Sequence, residues 1–174
     1  MQFYNEMSDA AGAVRPHYQR YADWLAATPP ERIARKRAEA DLVFHRVGIT
    51  FAVYGEEEGK ERLIPFDIIP RIIHAREWAA LSEGLRQRVK ALNMFLHDIY
   101  HGQEILKAGH IPVGQIVNNA QYRPIMQGVD VPEDIYAVIA GVDIVRAGQG
   151  EFYVLEDNLR VPSGVSYMLE DRKM

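Results

Sequence analysis

The 174-residue chain has no cysteine. That excludes a disulfide scaffold, a thiol nucleophile and zinc held by thiolates. It fits a cytoplasmic protein. Long apolar runs are missing too: none approaches the roughly 18 residues a membrane-spanning helix needs. The opening stretch, MQFYNEMSDAAGAVRPHY, lacks the basic-then-apolar layout of a secretory signal. No membrane partner is therefore expected. Nor is there an excess of positive charge, since 20 Lys and Arg stand against 24 Asp and Glu, for a formal charge of −4. A general nucleic-acid binder usually carries a basic face, so nucleic acid is not expected as a partner either. Lysine is sparse, and no G-x-x-x-x-G-K phosphate loop occurs.

What remains is an ordinary globular composition, 48% hydrophobic and 25% charged. The length suits one domain over residues 1–174. Helical signals come first. Arg15-Pro16 opens one helix through HYQRYADWLAA, with proline tolerated in the first turn. A second, starting at Thr28 or Pro29, runs to Gly48. The period then changes. ITFAVYG (Ile49 to Gly55) and ERLIPFDIIPRII (Glu61 to Ile73) flank the turn EEEGK as a hairpin would, and Pro65 and Pro70 weaken the second strand. The strongest helix spans Ala75 to Tyr100. Trp78, Leu81, Leu85, Val89, Leu92, Phe95, Leu96 and Ile99 recur along it at three- and four-residue steps. Short helical pieces follow at QEILKAG and IPVGQIV, then a hairpin over 138–146 and 151–158. The fold class expected is α+β: helices at the front, a mixed or antiparallel sheet, and the long helix packed across it.

The last hairpin holds the main candidate for chemistry. Its second strand ends in VLEDNLRVPSG, where an apolar run gives way to groups that are costly to bury. Gly148-Gln149 places glycine first in a two-residue loop, the type II′ signature. That register pairs Asp143 with Val154, Gly141 with Glu156 and Ile139 with Asn158. Asp143, Glu156 and Asn158 then share one face, with Asp157 on the other. A one-residue change of loop would instead group Asp143 with Asp157. Two carboxylates and an amide oxygen on one face suit a hard cation such as magnesium. Without one, the carboxylates repel. Arg160 lies just beyond, able to meet a phosphate or carboxylate. Pro162-Ser163-Gly164 leads into a helix start whose free N–H groups could bind an anion. The competing reading is an exposed strand end with ion pairs among Glu156, Asp157 and Arg160.

Four stretches carry a resemblance: YNEMSDAAGAVRPHY, GITFAVYG with ERLIPFDIIPRII, EWAALSEGLRQRVKALNMFLHDIY, and GVDIVRAGQGEFYVLEDNLRVPSGVSYMLEDR. Together they resemble the circularly permuted ATP-grasp proteins related to glutathionylspermidine synthetase. The resemblance implies ATP and magnesium as cofactors, and a carboxylate activated as an acyl phosphate and taken by an amine. It implies Asp143, Glu156 and Asn158 as magnesium ligands, Arg160 as a catalytic contact to phosphate or substrate, and Ser163, Gly164 and Ser166 lining the substrate edge. The length matches only the leading part of such a protein, with the metal hairpin but without the lysine-bearing nucleotide cradle. The chain alone is then expected to bind Mg-ATP weakly and to have no ligase activity. Apolar surface left exposed on such a part could drive dimerisation. Two other classes stay open: a non-catalytic module that binds a partner or peptide, and a metal-dependent hydrolase.

Several other groups carry a bland reading beside a functional one. His97 and His101 have a zinc-compatible spacing, but HDIYH lacks the metalloprotease glutamate and suits a solvated pair at a helix end. Asp67 and Arg71 are substrate-side candidates by resemblance and strand-end polar groups otherwise. Asp9 and Arg15-Pro16-His17 belong to a motif by resemblance and to a helix start locally. The Arg32, Arg35, Lys36, Arg37 cluster is balanced by Glu31, Glu39 and Asp41, as on a solvated helix face.

Overall fold

The computed structural model describes residues 4–48, 50–52, 61–63 and 67–173. In chain order the elements are a 3-10 turn (Pro16–Tyr18), α1 (Gln19–Ala27), α2 (Pro30–Val47), β1 (Thr50–Ala52), β2 (Glu61–Leu63), α3 (Ala75–Tyr100), α4 (Glu104–Lys107) and α5 (Val113–Val117). Two further 3-10 turns precede β3 (Gly141–Gly148), β4 (Glu151–Asn158) and α6 (Gly164–Asp171). The sheets are two-stranded, β1 with β2 and β3 with β4. The α+β expectation holds. The chain forms two compact units. One comprises residues 1–75, 146–151 and 163–174, the other 76–145 and 152–162.

In the first unit, proline and glycine set the helix limits. Pro16 starts the 3-10 turn that leads into α1. Thr28 ends α1 rather than starting α2, because its hydroxyl donates to the Trp24 carbonyl at 2.7 Å. Gly48 closes α2 at φ 73°, a left-handed cap that costs glycine little. Among the described residues of this unit, Tyr18, Ala40 and Phe44 are the buried apolar ones. The Tyr18 hydroxyl accepts the Ile72 amide at 2.8 Å, which ties the segment before α3 to the front of the chain. β1 and β2 pair antiparallel, Thr50 opposite Leu63 and Ala52 opposite Glu61. The expected hairpin therefore exists, but β2 ends at Leu63 and residues 67–74 are irregular. Pro70 falls in that irregular stretch, where no ladder needs its missing N–H. The EEEGK turn and Pro65 lie outside the described residues.

In the second unit, α3 follows the expected limits. Ile99 and Tyr100 are buried, while Leu81, Leu85, Val89, Leu92, Phe95 and Leu96 are half-buried and Trp78 is exposed. Asp98, near the end of α3, accepts the amides of Glu104 at 2.9 Å and Ile105 at 3.0 Å. A carboxylate there answers the unpaired N–H groups that open α4. Tyr100 holds the following loop, its hydroxyl accepting the Arg123 amide at 3.1 Å and its carbonyl accepting the Gly128 amide at 2.7 Å. Asn93 anchors the run into β3 by accepting the amides of Tyr136 at 2.8 Å and Ala137 at 3.2 Å. β3 begins at Gly141, three residues later than expected, and Val138 and Ile139 are exposed.

Candidate functional site

The turn between β3 and β4 is Gln149-Gly150, one residue beyond the expected Gly148-Gln149. Gly150 takes the positive φ, 73°, at the second central position. Glycine is needed there as in a type II turn, and the type II′ expectation does not hold. Gly148 and Glu151 therefore close the hairpin. Counted back along a regular ladder, Asp143 falls opposite Glu156 and Gly141 opposite Asn158. A Cβ on Gly141 would lie 3.7 Å from that of Asn158, as this register requires. The shift moves each pairing by two residues, so side-chain parity is unchanged. On this count Asp143 lies across from Glu156 instead of diagonal to it, and Ile139, before the start of β3, has no strand partner.

The face itself can be described atom by atom. Asn158 Nδ2 donates to Glu156 Oε1 at 2.9 Å, so these two side chains lie together along β4. That bond leaves the Asn158 carbonyl oxygen as an acceptor. Asp143 and Glu156 are exposed and Asn158 half-buried. Directly paired side chains have Cβ atoms about 4.5–5.5 Å apart, so like charges at such positions repel. Among the described residues neither Asp143 nor Glu156 forms an ion pair. Asp157, between them in sequence, is treated differently. Arg88 of α3 donates to it through Nε at 2.8 and 2.9 Å and through Nη2 at 2.6 Å. These hydrogen bonds, with the charge of Arg88, hold the Asp157 carboxyl below the usual carboxylate range.

The remaining expected site residues fall in two places. Arg160 Nη1 donates to Gln121 Oε1 at 2.8 Å, a neutral partner in place of the ion pair with Glu156 or Asp157 that the competing reading called for. Ser163, Gly164 and Ser166 open α6 in the first unit, where Ser166 Oγ donates to the Ser163 carbonyl at 2.6 Å. Sequence reasoning missed three neighbours of these residues: Arg88 beside Asp157, Gln121 beside Arg160, and Gly141 beside Pro162. A Cβ on Gly141 would come within 2.5 Å of the Pro162 Cβ, so only glycine lets the segment after β4 pass this close. Nothing in the spacing of IAGVDIV marks that approach.

The His97 and His101 rings stack at 4.3 Å and 3°. His101 Nε2 lies 3.2 Å from Asp130 Oδ1, and its Nδ1 lies 3.0 Å from the His97 carbonyl. The pair is thus partly built in, not simply solvated. Among the described residues no three His, Cys, Asp or Glu side chains gather as a metal site. The β3–β4 face offers two carboxylates and an amide, a set outside that count. Asp67 accepts its neighbour Ile69 amide at 3.0 Å, Arg71 pairs with Glu6 at 2.9 Å, and Asp9 accepts the amides of Ala11 and Ala13, each at 2.9 Å. Arg15 stacks over Tyr4 with 4.9 Å to the ring centre. Lys36 and Arg35 face Glu39 at 2.7 and 4.0 Å, the expected charge balance on α2.

Comparison with known families decides the lineage. The model described as "A circularly permuted ATPgrasp" matches residues 70–174, which include the whole β3–β4 hairpin. The chain belongs to the circularly permuted ATP-grasp family. An uncharacterized protein of Synechocystis is 43% identical over 99% of this chain, and one of Mycobacterium leprae 43% identical over 98%. The matches cover 36% and 30% of those relatives. A Frankia casuarinae protein named "Putative glutamate--cysteine ligase 2-2" is 41% identical over 98% of this chain, which spans 20% of it. The chain thus spans about a third or less of the relatives it matches. In this permuted ATP-grasp chain no described helix is long and apolar enough to cross a membrane.

Proposed function

We propose that this chain is the metal-binding part of an ATP-dependent carboxylate–amine ligase. One observation carries the reading. By the counted register Asp143 and Glu156 fall at facing positions, and neither forms an ion pair among the described residues, while neighbouring Asp157 is matched by Arg88. A divalent ion would offset the repulsion and use the Asn158 carbonyl oxygen as a third ligand. The donors are all oxygen, which suits magnesium, and its remaining positions suit water and phosphate oxygens. Magnesium held there would neutralise charge on phosphate oxygens during transfer.

The chain's own residues have distinct parts in this reading. Asp143, Glu156 and Asn158 hold the ion. Arg88, by fixing Asp157 on the opposite face, keeps β4 at one height against α3. Arg160, steadied by Gln121, offers a guanidinium to a phosphate or to the substrate carboxylate. In the complete reaction a carboxylate oxygen attacks the terminal phosphorus of ATP and ADP leaves. An amine then attacks the acyl carbon and phosphate leaves, forming the amide. The ligase name of the Frankia relative is compatible with this reading, although four fifths of that protein lie outside the match.

The test on this chain is metal binding. Mn²⁺ titration followed by electron paramagnetic resonance should show one site, with affinity reduced ten-fold or more in Asp143→Asn and in Glu156→Gln. Unchanged affinity in both variants would remove the site.

A further inference from the structure

Away from the hairpin, the first unit contains a cavity of about 920 Å³ whose walls include Asp67 and Arg71, the substrate-side candidates by resemblance. Its walls come from α1, α2, residues 67–71 and the end of α6. Tyr21 and Trp24 form one side, their rings stacked 5.4 Å apart at 30°. Ile33 and Ile69 add aliphatic surface. Five charged side chains line the same space: Arg32, Lys36, Asp67, Arg71 and Asp171.

Three of the five already have partners. Lys36 reaches Glu39 at 2.7 Å, Arg71 reaches Glu6 at 2.9 Å, and Asp67 accepts the Ile69 amide at 3.0 Å. The other two do not. The Arg32 side chain has no hydrogen bond or ion pair among the described residues. Asp171 Oδ1 is shielded from water and has no hydrogen-bond partner among the described residues. A shielded carboxylate oxygen without a donor is costly, and burial raises the carboxyl's pKa from its ordinary value. Arg32 and Asp171 do not pair with each other, so the cavity keeps one uncommitted charge of each sign.

We propose that this cavity binds an amino acid or short peptide with both a free ammonium and a free carboxylate and an apolar side chain. The ammonium would supply the missing donors to Asp171. The carboxylate would take the Arg32 guanidinium in the two-pronged geometry it favours. The apolar side chain would lie against Trp24, Tyr21 and Ile33, where an aromatic wall also favours a nearby cation. The volume lies in the range of small-molecule sites and exceeds a single amino acid, which leaves room for two or three residues. An anion alone would leave Asp171 unanswered, and a purely apolar occupant would leave both charges so.

The experiment is calorimetric titration of the 174-residue chain with L-phenylalanine and with the dipeptide phenylalanyl-leucine. N-acetyl and C-terminal amide forms of both serve as arms. Saturable one-to-one binding is expected for the free forms, weakened ten-fold or more by blocking either end. Asp171→Asn should weaken the free forms ten-fold or more yet leave the N-acetylated ones unchanged. Arg32→Gln should do the same for the carboxylate end. Should Asp171→Asn fail to fold, the blocked ligands on the unsubstituted chain and Arg32→Gln still decide. No binding by any probe, or binding indifferent to both blocked ends, overturns the proposal. The hairpin variants Asp143→Asn and Glu156→Gln should bind these ligands normally, so the outcome is separate from that of the metal site.

Discussion

Arg88 forks onto Asp157 across 69 residues of sequence, with three hydrogen bonds of 2.6 to 2.9 Å. The Asp157 side chain is largely shielded, at 13% exposure, while Arg88 is closer to solvent at 44%. The pair fastens β4 to α3 on the side away from Asp143, Glu156 and Asn158. Asp157 has a depressed pKa in the folded chain, so its contribution is present above the unfolded carboxylate value of about 3.9 and is lost as pH falls through the folded value. Thermal melts of the unsubstituted chain and of Arg88→Gln should therefore differ at neutral pH and converge below about pH 4. A constant gap down to the most acidic pH would mean that Arg88 acts by packing alone.

Mg-ATP should bind this chain weakly. The hairpin offers ligands for the ion, but no glycine-rich lysine loop accompanies it in the sequence. Calorimetry with Mg-ATP should give a dissociation constant no tighter than about the millimolar level that corresponds to roughly −4 kcal/mol. Magnesium-dependent binding in the low micromolar range would overturn this expectation and place a nucleotide cradle within these 174 residues.

Gly141→Ala should be costly although it adds only one methyl group. Its Cβ would sit 2.5 Å from the Pro162 Cβ, closer than atoms can approach. Overpacking of this kind costs about 1–3 kcal/mol. Denaturant melts should show that loss, and Pro162→Gly should restore part of it in the double variant, since the two sites share one contact.

Tyr18→Phe removes one oxygen from the buried centre of the first unit. The Ile72 amide then loses its acceptor at a part-buried site. Leaving such a donor unpaired costs about 1–3 kcal/mol. A loss of this size in chemical denaturation, with unchanged circular dichroism, is the expected result. A neutral substitution would mean that water replaces the hydroxyl.

Much of this was legible beforehand, for identifiable reasons. The limits of α3 follow from an apolar stripe of seven turns, and the end of α2 from Gly48, because periodicity and glycine caps are local signals. Alternation put Asp143, Glu156 and Asn158 on one face, and a two-residue shift of the counted register leaves that parity unchanged. That shift arose because Gly148 and Gly150 both flank Gln149, and composition does not say which one takes the positive φ. Arg88 and Gln121 were not legible, since their partners lie 69 and 39 residues away. The cavity was hidden for a similar reason. Arg32 and Lys36 read correctly as one side of a charged helix, and only the fold shows that Asp171 lines the same space.

The bonds of the second unit also imply an order of assembly. Asp98 reaches the amides of α4 only six and seven residues onward, Tyr100 reaches Arg123 across 23, and Asn93 reaches Tyr136 across 43. Arg88 to Asp157 closes the longest of these loops. Closure entropy rises with loop length, so the end of α3 with α4 forms a natural nucleus and the brace beneath the hairpin is fastened late. Arg88→Ala should then speed unfolding and leave the refolding rate nearly unchanged in stopped-flow measurements. On this route the acidic face of β3 and β4 gains its fixed height only in the last step, and it is the first thing the unit gives up.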